Sequence, residues 1–128
     1  MAALRPVQRF FAAIAERDPE AILQEVRHDG KLTGVIEGPS GARTVRTISW
    51  TDFARRITTG TERIEERSGA ALVKVDGDIA MAWAPYTFYV DGTALRCGVN
   101  HFDLIREGGR WKLLNITFTQ RNVGCPAL

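Results

Sequence analysis

Apolar side chains recur at spacings of three and four along the N-terminal segment. Val7, Phe10, Phe11, Ile14 and Ala15 follow this period, which is typical of an amphipathic helix with one buried face. We predict a first helix over residues 6–17. Asp18-Pro19-Glu20 then supplies an N-cap, a proline at the first helical position and an acid in the first turn. These residues predict a second, short helix through residue 26.

Two short strands and a third helix are predicted next. Residues 31–37 and 43–48 alternate enough to be strands, with a turn at residues 38–41 between them. Ser49, followed by Asp52, resembles a capping box, and the apolar positions Trp50, Phe53, Ala54 and Ile57 share one helical face. The segment 58–60 ends this third helix.

From residue 61 onward the pattern alternates, as in strands. Asp76-Gly77 and Asp91-Gly92 are hairpin signals, and residues 107–109 mark a third turn. Four strands are predicted, over residues 61–75, 78–90, 94–106 and 110–121. The expected class is therefore α+β: a single domain over residues 1–128, with three N-terminal helices packed on one face of a strongly curved, mainly antiparallel sheet.

The turns also predict which side chains share a sheet face. Pairing Val90 with Thr93 places Trp83 opposite Asn100 and Met81 opposite Phe102. Pairing Arg106 with Arg110 puts Leu114 and Ile116 on the same, bulky apolar face, which should receive the helices because burying apolar area stabilises the fold. A bulge in any strand would exchange the two faces.

A ligand pocket is predicted between the helices and this face. Trp83 and Asn100 would stack against and orient a flat polar ligand, although a core tryptophan and a strand-end amide explain them equally well. Arg96 would clamp an anionic group, or else be a solvated or interface side chain. The predicted ligand-binding residues are Phe10, Ile14, Trp50, Phe53, Met81, Trp83, Arg96, Asn100, Phe102 and Ile116.

The opposite sheet face is smaller and half polar, and we expect it to form a homodimer. Cys97 falls on it and is expected to be a small buried apolar side chain rather than a nucleophile. Asp103 and His101 should also point away from the pocket. The predicted members of this face are Ala80, Ala82, Ala84, Tyr86, Val99, His101, Asn115, Thr117 and Thr119.

Composition narrows the classes of protein. The chain has 128 residues, 45% hydrophobic and 25% charged, with a net charge of +2, as in an ordinary globular protein. Its basic residues are scattered, so no nucleic-acid partner is expected, and no apolar stretch is long enough for a membrane span. Two cysteines do not make a disulfide framework, which favours a cytoplasmic location. Ligand spacings for a metal and phosphate-binding loops are absent, so we expect no metal and no cofactor.

Few titratable groups are candidates for catalysis. His28, just after the second helix, is a weak candidate for proton transfer, and a residue that satisfies the helix's last carbonyls is the alternative. Glu62, Glu65 and Glu66 alternate with arginines as in a solvated strand edge. One carboxylate turned inward remains an open alternative.

Three runs of residues, 75–92, 96–106 and 109–113, together with Glu62-Arg63-Ile64-Glu65, resemble a family named for a suspected lumazine-binding role. That family belongs to the nuclear-transport-factor-2-like superfamily, which also contains the SnoaL-like proteins. The resemblance implies a cone-shaped, cystatin-like roll with a mixed sheet and a pocket open at one end, usually in a homodimer. Sequences of this kind commonly carry His where this chain has Arg96, which alters the charge at the pocket mouth.

The resemblance does not by itself imply a reaction, because this fold hosts many activities. Our first hypothesis is a small-molecule-binding cone of unassigned activity. The alternative is a SnoaL-like enzyme that isomerises, cyclises or hydrates a small apolar substrate, and it requires an Asp, Glu or His directed into the cavity. A third hypothesis is an association module that dimerises through its outer face.

Overall fold

A computed structural model describes all of residues 1–128. A short 3-10 turn, Ala2–Leu4, leads into the first of three α-helices. The helices are α1 (Arg5–Glu16), α2 (Pro19–Gln24) and α3 (Trp50–Arg56). The strands are β1 (Lys31–Glu37), β2 (Arg43–Ser49), β3 (Ile64–Ser68), β4 (Leu72–Asp76), β5 (Ile79–Val90), β6 (Thr93–Glu107) and β7 (Arg110–Gln120).

All seven strands form one mixed sheet, in the order β2-β1-β7-β6-β5-β3, and β4 also pairs with β5. Only the contact of β1 with β7 is parallel. The helices pack on one face of this sheet, as predicted. The expected α+β class is therefore confirmed.

The helix boundaries follow from the predicted capping residues. The Asp18 side chain accepts a hydrogen bond from the backbone N–H of Ala21 at 3.1 Å, and Ser49 Oγ accepts one from Asp52 N at 3.1 Å. Each bond satisfies a backbone donor that the first helical turn leaves free. Arg17 ends α1 in the left-handed conformation, with φ 51°. These helix starts agree with the sequence prediction to within a residue.

The predicted strand over residues 61–75 is in fact two strands. β3 pairs with one half of β5 and β4 with the other half, and the break lies beside Pro85. Proline has no N–H to donate to a ladder. Gly69 bridges the break by donating its backbone N–H to the carbonyl of Pro85 at 2.9 Å.

A β-bulge corrects the predicted register of β5 against β6. Val90 pairs with Thr93 as expected, but Leu95 is an extra residue, so Phe88 lies opposite Arg96. Trp83 is then opposite His101 and not Asn100. The prediction that Met81 and Trp83 face the helices is wrong, because one inserted residue moves every later side chain of the partner strand to the other face.

The register of β6 against β7 also differs from the prediction, with a smaller consequence. The turn is the two-residue Gly108-Gly109, and Leu114 is an extra residue in β7. Two one-residue shifts restore the original parity, so Phe102 pairs with Ile116 on the helix-facing side. Leu113 is fully buried there in place of Leu114.

Small residues of β5 lie beneath the helices, where Met81 and Trp83 were expected. Ala80, Ala82 and Ala84 are all buried. The Phe10 ring packs 5.6 Å from Trp50 and 5.7 Å from Phe53, between ring centroids. Trp50 Nε1 also donates to the carbonyl of Leu114 at 3.0 Å, which attaches α3 to the β7 bulge. This packing closes one end of the cone.

The C-terminal segment is attached to the sheet by a disulfide between Cys97 and Cys125, whose Cα atoms lie 5.5 Å apart. No disulfide framework was expected from the two cysteines, and this pairing was not predicted. Thr87 Oγ1 and Tyr89 Oη also donate to the carbonyls of Pro126 and Leu128.

None of the helices is long and apolar enough to cross a membrane.

Candidate functional site

A cavity of about 680 Å³ lies between α1, α3 and the inner face of the sheet. Its walls are mainly apolar. The side chains that form them come from both helices and from five strands: Phe10, Ile14, Phe53, Ile57, Leu32, Ile36, Ile48, Ile64, Phe88, Val90, Ile116 and Phe118. A cavity of this size and character suits a small organic molecule.

One glycine determines the shape of the wall at β1. A Cβ atom on Gly34 would lie 2.4 Å from Cζ of Phe118. The tip of the Phe118 ring therefore occupies the space that a side chain at this position would fill. A larger residue at position 34 would displace Phe118, which is part of the cavity wall.

Six of the ten predicted ligand-binding residues line the cavity. They are Phe10, Ile14, Phe53, Arg96, Asn100 and Ile116. Trp50 and Phe102 are almost completely buried in the core and are not part of the wall. Met81 and Trp83 lie on the outer sheet face, where Trp83 is 50% exposed.

The candidate base His28 does not reach the cavity. It is exposed in the turn after α2 and is not among the lining residues. His101 and Asp103 point outward, as predicted: the His101 ring lies 6.0 Å from that of Trp83, and Asp103 accepts a hydrogen bond from Asn115. No histidine is therefore available to the cavity.

A carboxyl group reaches into the cavity from β3, at Glu66. Glu66 Oε2 accepts a hydrogen bond of 2.8 Å from Asn100 Nδ2. Burial raises the pKa of Glu66 to about 7, against the smaller opposing effects of the Asn100 hydrogen bond and the Arg96 charge. Both protonation states of this carboxyl are then populated near neutral pH.

Three strands place the polar groups in one row. Glu66 on β3 pairs with Phe88 on β5, and Phe88 pairs with Arg96 on β6. The Arg96 guanidinium lies 4.4 Å above the centre of the Phe88 ring, in a cation–π contact. The bulge at Leu95 sets this pairing and so brings Arg96 into the row.

Tyr86 lines the cavity beside this row, although it was predicted on the outer face. Its hydroxyl donates to the carbonyl of Thr119 at 2.7 Å. Gly98, its partner on the intervening strand, makes this reach possible, because a Cβ there would lie 2.1 Å from the Thr119 oxygen. Burial, followed by the nearby charge of Glu66, raises the pKa of Tyr86.

We call Glu66, Arg96, Asn100 and Tyr86 the polar cluster. The sequence prediction contained Arg96 and Asn100 but left Glu66 as an open alternative and misplaced Tyr86. A signal for Glu66 exists in the sequence, since Ile64 must be buried and side chains two apart on a strand share a face. No three or more His, Cys, Asp or Glu side chains lie close enough together to hold a metal ion.

No family model matches the chain, and no curated protein matches it. Solved structures do match over almost its whole length. A nuclear-transport-factor-2-like protein with a cystatin-like fold from Novosphingobium aromaticivorans superposes with a TM-score of 0.74 and 18% identity, covering 98% of this chain and 82% of that chain. The chain therefore has the cystatin-like fold of nuclear-transport-factor-2-like proteins, as predicted.

Two further structures from the same organism belong to proteins described by an activity. The beta subunit of a putative aromatic-ring-hydroxylating dioxygenase has a TM-score of 0.76 and 15% identity, with 99% of this chain and 92% of that chain covered. A putative scytalone dehydratase has a TM-score of 0.73 and 12% identity, with 98% and 88% covered. At these identities the likeness establishes the fold alone.

Proposed function

We propose that the chain binds a small molecule with an apolar body in the cavity, and that Glu66 transfers a proton on it. The observation that carries this proposal is a carboxyl with a pKa of about 7 in an apolar cavity. A general base or acid is most effective when its pKa lies near the working pH. The alternative that required a carboxylate or histidine directed into the cavity is thereby supported.

The polar cluster fits a proton transfer between two positions of one ligand. Glu66 in its ionised form would take a proton from a carbon or hydroxyl of the ligand and become neutral. The same carboxyl would return that proton at a second position, which isomerises the ligand, or to a leaving hydroxyl, which dehydrates it. Asn100 holds one oxygen of Glu66, so the other oxygen is free to face the ligand.

Binding without catalysis is the second candidate function. It is favoured by the hydrogen bond of Tyr86, whose hydroxyl proton is already donated to Thr119. No second acid in the polar cluster is then free to assist Glu66. The putative scytalone dehydratase has the same fold. The fold is therefore compatible with catalysis but does not assign it to this chain.

Proton exchange distinguishes the two candidates without knowledge of the natural substrate. The probe is 2-tetralone, an apolar ketone with acidic α-protons, incubated with the protein in D2O and followed by proton NMR. We expect the α-proton signal to be lost faster with the wild-type protein than with Glu66→Gln. The control is Glu65→Gln, which changes an exposed neighbour and should behave like wild type. Equal rates for wild type and Glu66→Gln would mean that the cavity binds a ligand without catalysis by Glu66.

A homodimer through the outer sheet face is also proposed. Leu72, Trp83 and His101 form one row across β4, β5 and β6, and Leu72 and Trp83 are 57% and 50% exposed. Exposed apolar residues grouped on one face are typical of an association surface. The corrected register thus gives this face a larger apolar side chain than the sequence prediction had placed there.

The family within the superfamily and the cellular location are also proposals. Membership of the family named for lumazine binding rests on the resemblance of residues 62–65, 75–92, 96–106 and 109–113. A cytoplasmic location was predicted from the lack of a disulfide framework, and the disulfide between Cys97 and Cys125 weakens that argument.

A further inference from the structure

The charges that line the cavity are unbalanced. Four arginines and two glutamates contribute to the wall: Arg17, Arg46, Arg56, Arg96, Glu62 and Glu66. The surplus is positive whether or not Glu66 is ionised. What matters for a ligand is which of these arginines already has a partner.

Arg17 is fully engaged by the protein. Its guanidinium donates to the carbonyls of Ile57 at 2.9 Å, Thr59 at 2.6 Å and Glu62 at 2.7 Å. It also lies 3.8 Å from the Glu62 carboxylate. Arg17 therefore ties α1 to the segment after α3, and its donors are not free to bind a ligand.

Arg96 has no such partner. It is partly buried, makes no hydrogen bond and no ion pair, and its guanidinium lies over the face of the Phe88 ring. Glu66 forms no ion pair with Arg96 and accepts its hydrogen bond from Asn100 instead, although the Arg96 charge opposes the rise in the Glu66 pKa. Arg46 and Arg56, both exposed at the edge of the cavity, are also unpartnered.

A guanidinium in this position is suited to an anion. Its N–H donors form a rigid planar fork that matches a carboxylate or sulfonate, and the cation–π contact with Phe88 leaves those donors unused. Removing a cation from water is costly unless an opposite charge compensates it. The donors that the protein leaves unused are thus the observation that points to the ligand.

We infer that the ligand of this cavity is an organic anion, whose carboxylate or sulfonate binds Arg96 while its apolar body contacts the surrounding Phe, Ile and Leu side chains. This inference rests on the proposed binding function and adds the class of ligand. Arg46 and Arg56 at the edge attract the same charge as it enters. The head group is held beside Glu66, so the part of the ligand next to the anionic group is the part exposed to proton transfer.

Two fluorescent probes with the same rings test the inference. They are 1-anilinonaphthalene-8-sulfonate and N-phenyl-1-naphthylamine, which lacks the sulfonate. We expect both probes to bind the wild-type protein. Arg96→Gln should weaken the affinity for the sulfonate probe by tenfold or more, since a charge-assisted bidentate contact is lost. It should change the affinity for the neutral probe by less than threefold. Arg55→Gln, an exposed arginine of α3 outside the cavity, should leave both affinities unchanged.

Each other outcome has a defined meaning. If Arg96→Gln weakens both probes equally, or neither, the assignment of an anionic ligand is wrong and the cavity remains a binding site. If neither probe binds the wild-type protein, the binding function itself is contradicted.

A second measurement needs no variant and so does not depend on the folding of Arg96→Gln. On the wild-type protein, 2-naphthoate should displace N-phenyl-1-naphthylamine at a concentration at least tenfold lower than 2-naphthamide, its neutral counterpart. Equal potency of the two would overturn the inference.

Discussion

Glu66 illustrates how one buried side chain can both serve a site and weaken the fold. Its carboxyl is stabilised as the neutral acid, since burial opposes the charged form more strongly than Asn100 and Arg96 favour it. The folded protein therefore holds this proton up to a higher pH than the unfolded chain does. Sites built on such groups commonly lose stability in exchange for reactivity.

This proton linkage predicts how Glu66→Gln changes stability with pH. The pKa is raised from 4.5 to about 7, so its stabilising contribution is complete at the lowest pH and is lost as the pH rises through about 7. Between pH 5 and pH 8 the wild-type protein should therefore lose roughly 1–3 kcal/mol of its free energy of unfolding through this group. Glu66→Gln lacks the titrating group and should not show this loss. Urea unfolding at both pH values measures the difference.

The control for this experiment is Glu65→Gln on the same strand, whose exposed carboxylate is paired with Arg67. It should change stability by the same amount at both pH values. A difference between Glu66→Gln and wild type that does not depend on pH would show that the Glu66 carboxyl titrates alike in the folded and unfolded chains.

At the scale of single residues, the sequence predicted the cavity walls better than the polar cluster. Phe10, Ile14, Phe53 and Ile116 follow from periodicity, because burial of apolar area sorts them onto one face. Glu66 was not assigned, since its charged neighbours suggested a solvated edge. Its inward position depends on long-range pairing with β5, which no local pattern contains.

At the scale of elements, the turns predicted the hairpins but not the faces. Asp91-Gly92 sets the first pairs of β5 with β6, and only the bulge at Leu95 decides what lies opposite Trp83. A bulge has no strong sequence signal, so Met81 and Trp83 were assigned to the wrong side. The same bulge pairs Arg96 with Phe88, and the candidate site therefore depends on the feature that the prediction lacked.

The disulfide is the element whose contribution is simplest to test. It closes a loop between residues 28 apart in sequence, and the loss of loop-closure entropy for such a length corresponds to about 3–4 kcal/mol. Cys125→Ser should lower the free energy of unfolding by about this amount under oxidising conditions, as measured by urea unfolding. Wild type treated with a reductant is the matched control, and it should approach the stability of Cys125→Ser. Equal stability of oxidised wild type and Cys125→Ser would contradict the pairing.

At the scale of the whole molecule, the most deeply buried core residues and the residues of the cavity wall are different. Trp50, Phe102, Leu104 and Leu113 are almost completely buried in the core and form no part of the cavity wall. This division was predictable, because helices followed by hairpins with these motifs resemble a known superfamily. The ligand was not, since it depends on which polar groups the folded sheet leaves without partners.

The last prediction concerns assembly through the outer sheet face. A stable interface buries about 800 Å² on each partner around a central apolar anchor, and Trp83, beside exposed Leu72, is the largest apolar side chain available on this face. We expect wild type to sediment as a dimer at micromolar concentration. Trp83→Lys should sediment as a monomer, because it places a charge at the centre of the interface.

The control is Val123→Lys, at an 81% exposed position in the C-terminal segment, which should remain a dimer. A monomeric wild-type protein would contradict the dimer, and a dimeric Trp83→Lys would place the interface elsewhere. Because Trp83 lies on the face opposite the cavity, Trp83→Lys should also bind N-phenyl-1-naphthylamine with the affinity of wild type. A parallel loss of dimer and probe would instead mean that the cavity depends on the second subunit.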